Sequence, residues 1–222
     1  MTAALRVGGL TPLTTIDFPG RLAAVVFLQG CSWRCGYCQN PELIPPEAAT
    51  SHRWEDVIDF LQRRIGLLDG VVFSGGEPTL QGGLHDAVRE VRELGFEVGL
   101  HTAGMVPQRL AALLPDLDWV GLDIKAPWDL LDGVSGVAGS AAKVRSALAH
   151  VVASGVAFEC RTTWHAGLFA LERLHELADL LARVGVTRWC LQTCRLDGRP
   201  QAAPPAADVQ RLAARFHEFS LR

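Results

Sequence analysis

Cys31, Cys35 and Cys38 lie in the stretch Gly30-Cys31-Ser32-Trp33-Arg34-Cys35-Gly36-Tyr37-Cys38-Gln39-Asn40-Pro41, spaced Cys-x3-Cys-x2-Cys. Three thiols this close, with no fourth cysteine or histidine beside them, suit one [4Fe–4S] cluster in which each thiolate holds one iron. A structural zinc site wants a fourth ligand to close its tetrahedron, so a zinc knuckle would need a distant partner. The iron left without a protein ligand is a place where a small molecule can bind and receive an electron.

Other groups with chemical potential are scattered along the chain, and regular elements must bring them together. Short apolar, β-branched runs alternate with segments of helical period, the sign of repeated β–α units. Strands are expected over 22–29, 70–74, 97–102, 119–124, 157–163 and 188–193. Helical faces are expected through Val57, Ile58, Leu61 and Ile65, through Leu84, Val88, Val91 and Leu94, and through Leu171, Leu174, Leu177 and Leu181. Val209, Leu212, Phe216 and Phe219 predict a last helix over about 206–219. Six repeats fall two short of a closed eight-stranded barrel, so the fold is read as α/β, a partial (β/α)6 TIM-like barrel. A doubly wound sheet would give the same pattern. Residues 127–140, rich in Gly, Asp and Ser, read as a surface loop.

In this register the cysteines follow the first strand and Ser74-Gly75-Gly76-Glu77-Pro78 the second. His101-Thr102-Ala103-Gly104 follows the third and Asp123-Ile124-Lys125 the fourth; Arg161 lies on the fifth and Gln192 ends the sixth. Parallel β/α folds place ligands at that edge of the sheet. Asp123 and Lys125, two apart on a strand, face the same side; a surface ion pair is the alternative reading. Lys or Arg would pair with a ligand carboxylate, while Asp and Thr would meet hydroxyls or an amine.

The chain has 222 residues, with 49% apolar and 20% charged, which suits one soluble domain over 1–222 with its cluster loop at about 30–41. A net charge of −3 gives no electrostatic case for nucleic acid or an anionic membrane as partner. No apolar run approaches the ~18 residues of a membrane span, and residues 1–9 lack the form of a signal peptide. A cytoplasmic location is expected. The other cysteines, Cys160, Cys190 and Cys194, sit among apolar neighbours and read as buried, inert thiols.

The triplet, with aromatic Tyr37 before its third cysteine, resembles the signature of radical S-adenosylmethionine (SAM) enzymes. The Gly-Gly-Glu-Pro element after an apolar strand is similar to theirs. The resemblance implies a radical SAM-type barrel and SAM chelated by the open iron through its amine and carboxylate. One-electron cleavage would then yield a 5′-deoxyadenosyl radical. It further implies that Gly75, Gly76 and Glu77 meet the SAM amine, and that Asn40, Thr102, Asp123, Lys125 and Arg161 help to hold the cofactor. No protein acid or base need act.

The opening 9–21, Gly-Leu-Thr-Pro-Leu-Thr-Thr-Ile-Asp-Phe-Pro-Gly-Arg, more narrowly resembles the glycyl-radical-enzyme activating proteins, in particular those of anaerobic ribonucleoside-triphosphate reductase. That likeness implies a glycyl radical enzyme as partner, anaerobic ribonucleotide reductase first among them, and a reduced flavodoxin- or ferredoxin-type electron donor. Two positions depart from relatives. Gln39 stands where His is common, which would alter the cluster's surroundings rather than its ligands. His101 stands where formate-lyase activating enzymes carry an Asp that helps bind a monovalent cation, so no cation is expected. A pyruvate formate-lyase-type activating enzyme, a small-molecule enzyme such as a deazaguanine synthase, and a non-catalytic electron carrier or zinc module are the alternatives.

Overall fold

The computed structural model describes residues 5–196 and 198–222. Residues 1–4, part of the stretch read above for a leader, and Asp197 lie outside the described residues.

Six parallel strands form the centre of one sheet: β2 (Ala23–Leu28), β3 (Gly70–Gly75), β4 (Glu97–Thr102), β5 (Trp119–Asp123), β6 (Ala157–Trp164) and β7 (Arg188–Thr193). All six expected strands are found, with ends within two residues. Helices α1 (Trp54–Gln62), α2 (Leu84–Glu93), α3 (Pro107–Leu113), α4 (Trp128–Ser135), α5 (Ser140–Ser154) and α6 (Leu171–Arg183) fill the crossovers. This is the partial barrel of β/α repeats that the sequence pattern predicted.

Strand alternation sorts side chains between two environments. Ala24, Val26, Leu28, Val71, Phe73, Val98, Leu100, Val120 and Leu122 join the core that packs under the helices. Their neighbours Ala23, Val25 and Val72 point inward and join Phe18 and Trp119 in a small second core. Burial on both faces explains why these strands read as continuous apolar runs.

Two further strands extend the sheet beyond the six repeats. β1 (Val7–Thr14) pairs antiparallel with β2 at one edge, and β10 (Glu218–Leu221) pairs parallel with β7 at the other. The two-residue strands β8 (Arg195–Leu196) and β9 (Arg199–Pro200) make a small hairpin, and α7 (Ala206–Ala213) precedes β10.

Three expectations need correction. The helix predicted over 206–219 stops at Ala213, and the chain turns into β10. Phe216 and Phe219 both meet the Trp189 ring, at 5.0 and 5.7 Å between centroids, and Phe219 does so as Trp189's strand partner. Their helical spacing came from that shared target. Residues 127–140 are not a loop: α4 fills most of them and ends at Gly136 in the left-handed region (φ 71°). Asp132 ties α4 to the start of α5, since its carboxylate accepts from Gly139 N–H, Ala141 N–H and the Ser140 hydroxyl, while Asp129 pairs with Arg173. Ile65 lies beyond the end of α1 and is exposed.

No helix among the described residues is long and apolar enough to cross a membrane.

Candidate functional site

The C-terminal ends of the parallel strands surround a cavity of about 340 Å³. Its wall includes all three cysteines of the triplet, with Asn40, Gly75, Gly76, Thr102, Asp123, Lys125 and Arg161. Ten of the eleven residues singled out from the sequence therefore meet in one place, although they come from β2 to β6 and the segments after them.

The loop carrying the cysteines is tied down on both sides. Gly30 N–H donates to the Leu43 carbonyl at 2.8 Å and Cys31 N–H to that of Ile44 at 3.0 Å. Arg34 N–H donates to the Ser135 carbonyl at 2.9 Å, so the end of α4 supports the middle of the loop. Trp33 is 2% exposed and Tyr37 5%, which screens the thiols from water on two sides. Burial pushes the Cys31 thiol up to about 11 and raises that of Cys35, which Lys125 partly offsets. Metal binding to either thiol would therefore displace a proton. Gln39 donates to the carbonyls of Tyr37 and Arg195, both at 3.1 Å, and so anchors the loop to the β8–β9 hairpin.

The glycine pair acts through the backbone of β2. A Cβ on Gly75 would lie 2.3 Å from Leu28 N, and one on Gly76 2.3 Å from the Gly30 carbonyl oxygen. Gly75 also holds φ at 118°. The close approach that demands glycine is thus between strand ends.

Glu77, the eleventh residue, stands behind the cavity wall. Its carboxylate accepts from Thr79 N–H and hydroxyl, from the Thr102 hydroxyl at 2.6 Å and from Ala103 N–H at 2.9 Å. Burial raises its pKa while these four donors favour the ionised form. The geometry makes Glu77 a clamp between the β3 and β4 ends, with Thr102 turned toward it.

Asp123 lies between Lys125 Nζ at 3.0 Å and Arg161 Nη2 at 2.8 Å. Burial opposes ionisation of Asp123, but Arg161 and Lys125 outweigh it and hold the carboxyl well below the usual range. Burial also opposes the Lys125 charge, and Asp123 overcomes it, so Lys125 stays charged at any working pH. The Lys125 ammonium lies 5.8 Å from the Tyr37 ring centroid. Gly121 makes room for this group, since a Cβ there would meet Trp119 at 2.8 Å and Arg161 at 3.0 Å.

Several lining residues carried little sequence signal. Thr163 lines the cavity and lies 3.3 Å from Gln192, the residue expected at the end of the sixth strand; Thr163 follows from strand alternation, two residues after Arg161. Asp17, Phe27 and Met105 also line it. His101 lines the cavity, whereas His165 accepts from Gly167 N–H in a turn. His85 pairs with Asp116 and His175 with Asp208. Cys160, Cys190 and Cys194 are buried free thiols, as expected.

The donor set fits a cluster with SAM beside it. The three thiols all line the one cavity. A cube asks for spread thiolates, one per iron. The Lys125–Asp123–Arg161 group sets two cations against one carboxylate, a balance that a ligand carboxylate completes.

Residues 25–181 match the family model of the Radical SAM superfamily. The chain is 31% identical over 184 residues to a protein of Methanocaldococcus jannaschii named for glycyl-radical enzyme activation, covering 78% of this chain and 73% of that one. It is 34% identical over 125 residues to the pyruvate formate-lyase-activating enzyme of Clostridium pasteurianum, covering 54% and 52%. In fold it is similar to Streptococcus suis SuiB bound to the precursor peptide SuiA, with TM-score 0.69, 16% identity and coverage of 89% and 48%. The chain spans about half the length of the Clostridium and Streptococcus proteins. With most of its length matched, and with three thiols and a charged ligand cradle in one cavity, the chain belongs to the radical SAM superfamily, whose members use a [4Fe–4S] cluster and S-adenosylmethionine.

Proposed function

We propose that this protein is an activase that removes a hydrogen atom from a glycine Cα of a partner enzyme and leaves a glycyl radical there. Anaerobic ribonucleoside-triphosphate reductase is the partner the reading favours. The observation that carries it is the placement of Asp17: the opening segment that resembles activating proteins helps to wall the same cavity as the cysteines.

Cys31, Cys35 and Cys38 hold the cluster, and Trp33 and Tyr37 keep water from it. Lys125 and Arg161, fixed by Asp123, take the SAM carboxylate. Asn40, Thr163 and Gln192 offer amide and hydroxyl groups to the rest of the molecule. Glu77 and Thr102 hold the Gly75-Gly76 turn against β4 and thereby set the cavity's shape. When bound, the cluster and SAM supply the electron and the carbon radical that takes the hydrogen atom. The protein's part is positioning and the exclusion of water. A reduced flavodoxin- or ferredoxin-type protein is the proposed electron donor, and the cytoplasm the proposed location.

The test is anaerobic incubation of the reconstituted protein with SAM, a reductant and candidate glycyl radical enzymes, read by electron paramagnetic resonance. A glycyl doublet on the reductase is the expected result, whereas one on a formate lyase alone would move the partner. SAM cleavage with no doublet on any candidate would overturn the activase reading and favour a soluble substrate.

A further inference from the structure

The segment 14–21 runs between the two edges of the sheet, where three contacts hold it besides the exposed Arg21–Glu97 ion pair at 2.7 Å. The Phe18 ring lies inside the barrel, stacked on Trp119 at 5.8 Å between centroids and packed with Ala23, Val25 and Val72. Arg222, just past β10, donates from Nη1 to the Ile16 carbonyl at 3.2 Å and so ties the segment to the far edge. The third contact comes from the cavity wall, where His101 Nε2 lies 2.9 Å from the Asp17 carbonyl oxygen.

That distance assigns the tautomer. A carbonyl only accepts, so Nε2 carries the hydrogen, and Nδ1 is left to accept from the Ser74 hydroxyl at 3.3 Å. The imidazole stands edge-on to Trp119, with ring centroids 5.4 Å apart. Burial and the neighbouring Arg161 push its pKa well below the usual value, so the ring stays neutral. Ser74 precedes the Gly75-Gly76 turn and Thr102 follows His101. One side chain thus joins the inserted segment to the two strand ends that shape the cofactor cavity.

We propose that His101 is a positioning residue whose Nε2–H, bonded to the Asp17 carbonyl, latches segment 14–21 in place as the inner wall of the cavity. Occupancy of the cavity and order in that wall are then coupled, and the coupling is reciprocal: whatever fixes the wall favours the bound cofactor. The consequence for a partner, that the wall sets how far its glycine-bearing segment can enter, rests on the activase reading. The latch does not.

Glutamine places an N–H near the position of Nε2, while asparagine reaches only that of Nδ1, so His101→Gln and His101→Asn separate the two bonds. The experiment is peptide-level amide hydrogen exchange on the reconstituted protein, with and without SAM. With Asn, exchange across 14–22 should quicken about tenfold, as for a buried acceptor left stranded, and SAM should no longer slow it. With Gln, exchange should stay near the wild-type rate and SAM should still protect. Exchange in α2 should be unchanged in both. Should the Asn variant not fold, His101→Phe keeps the packing on Trp119 without the donor and should show the same faster exchange. Equal behaviour of the Gln and Asn variants, or faster exchange throughout the barrel, would overturn the latch. If wild-type protein never forms a glycyl radical, the activase reading falls while the exchange data still judge His101.

Discussion

The two faces of one sheet follow different rules. Phe73, Leu100 and Leu122 point outward into a continuous apolar core under the helices. On the same strands Ser74, His101 and Asp123 point inward and line the cavity. The outer face carries stability and tolerates only shape-matched apolar residues. The inner face is apolar around Phe18 and Trp119, with the buried Glu159 beside them, and becomes polar and charged toward the strand ends. A single residue of register separates the two, so the fold holds a charged site over an apolar floor without exposing the outer core.

This division can be broken by substitution. The largest expected effect is functional: Cys38→Ala should abolish cluster loading, read as iron content, and bring SAM cleavage to background. The unloaded protein should lose only about 1 kcal/mol or less, since Cys38 lies outside both cores. Phe73→Ala, on the outer face, should cost about 3–5 kcal/mol in urea unfolding of the unloaded protein. Asp123→Asn leaves Arg161 and Lys125 facing each other without their shared anion and should cost about 3 kcal/mol, along with SAM affinity. A cost near zero for Asp123→Asn with normal SAM binding would mean that the inner charges are incidental.

The inner face was the less legible in advance, although its strongest markers lay in the sequence. All six central strands could be placed because both of their faces are buried, and the strand ends brought ten of the eleven marked residues to one cavity. The edges were missed for physical reasons. β1 is antiparallel and half exposed, so its residues show neither an apolar run nor a helical period. β10 was hidden because Phe216 and Phe219 share a helical spacing while serving one tryptophan. Glu77 was identifiable as part of a motif, but its role as a clamp depends on Thr79, Thr102 and Ala103, which only the fold brings to it. Asp17 lies in a segment whose position is set by Phe18, Arg222 and His101, and no local pattern foretells that.

The smallest expected effect is the pH dependence of stability that two inner-face groups contribute. His101 has a folded pKa below its unfolded value, so below pH ~6.5 the unfolded chain takes up a proton that the folded chain refuses. Stability should therefore fall as pH drops from 7 to 5, at up to about 1.4 kcal/mol per unit, and His101→Gln should lack that component. Asp123 acts lower: its depressed pKa adds stability above pH ~3.9 that is lost as pH falls through the folded value. Urea midpoints of wild type and His101→Gln from pH 7 to 5 test the first statement, and those of wild type and Asp123→Asn below pH ~4 test the second. Parallel pH profiles would mean that His101 is not buried as a neutral ring.

The central claim is that this cavity delivers hydrogen abstraction to a protein glycine. Deuterium placed at the glycine Cα of the anaerobic reductase tests it most directly, after anaerobic reaction with this protein, SAM and a reductant. The account predicts that the deuterium appears in the 5′-deoxyadenosine formed, in step with a glycyl radical on the reductase. Full SAM cleavage with unlabelled 5′-deoxyadenosine would contradict it.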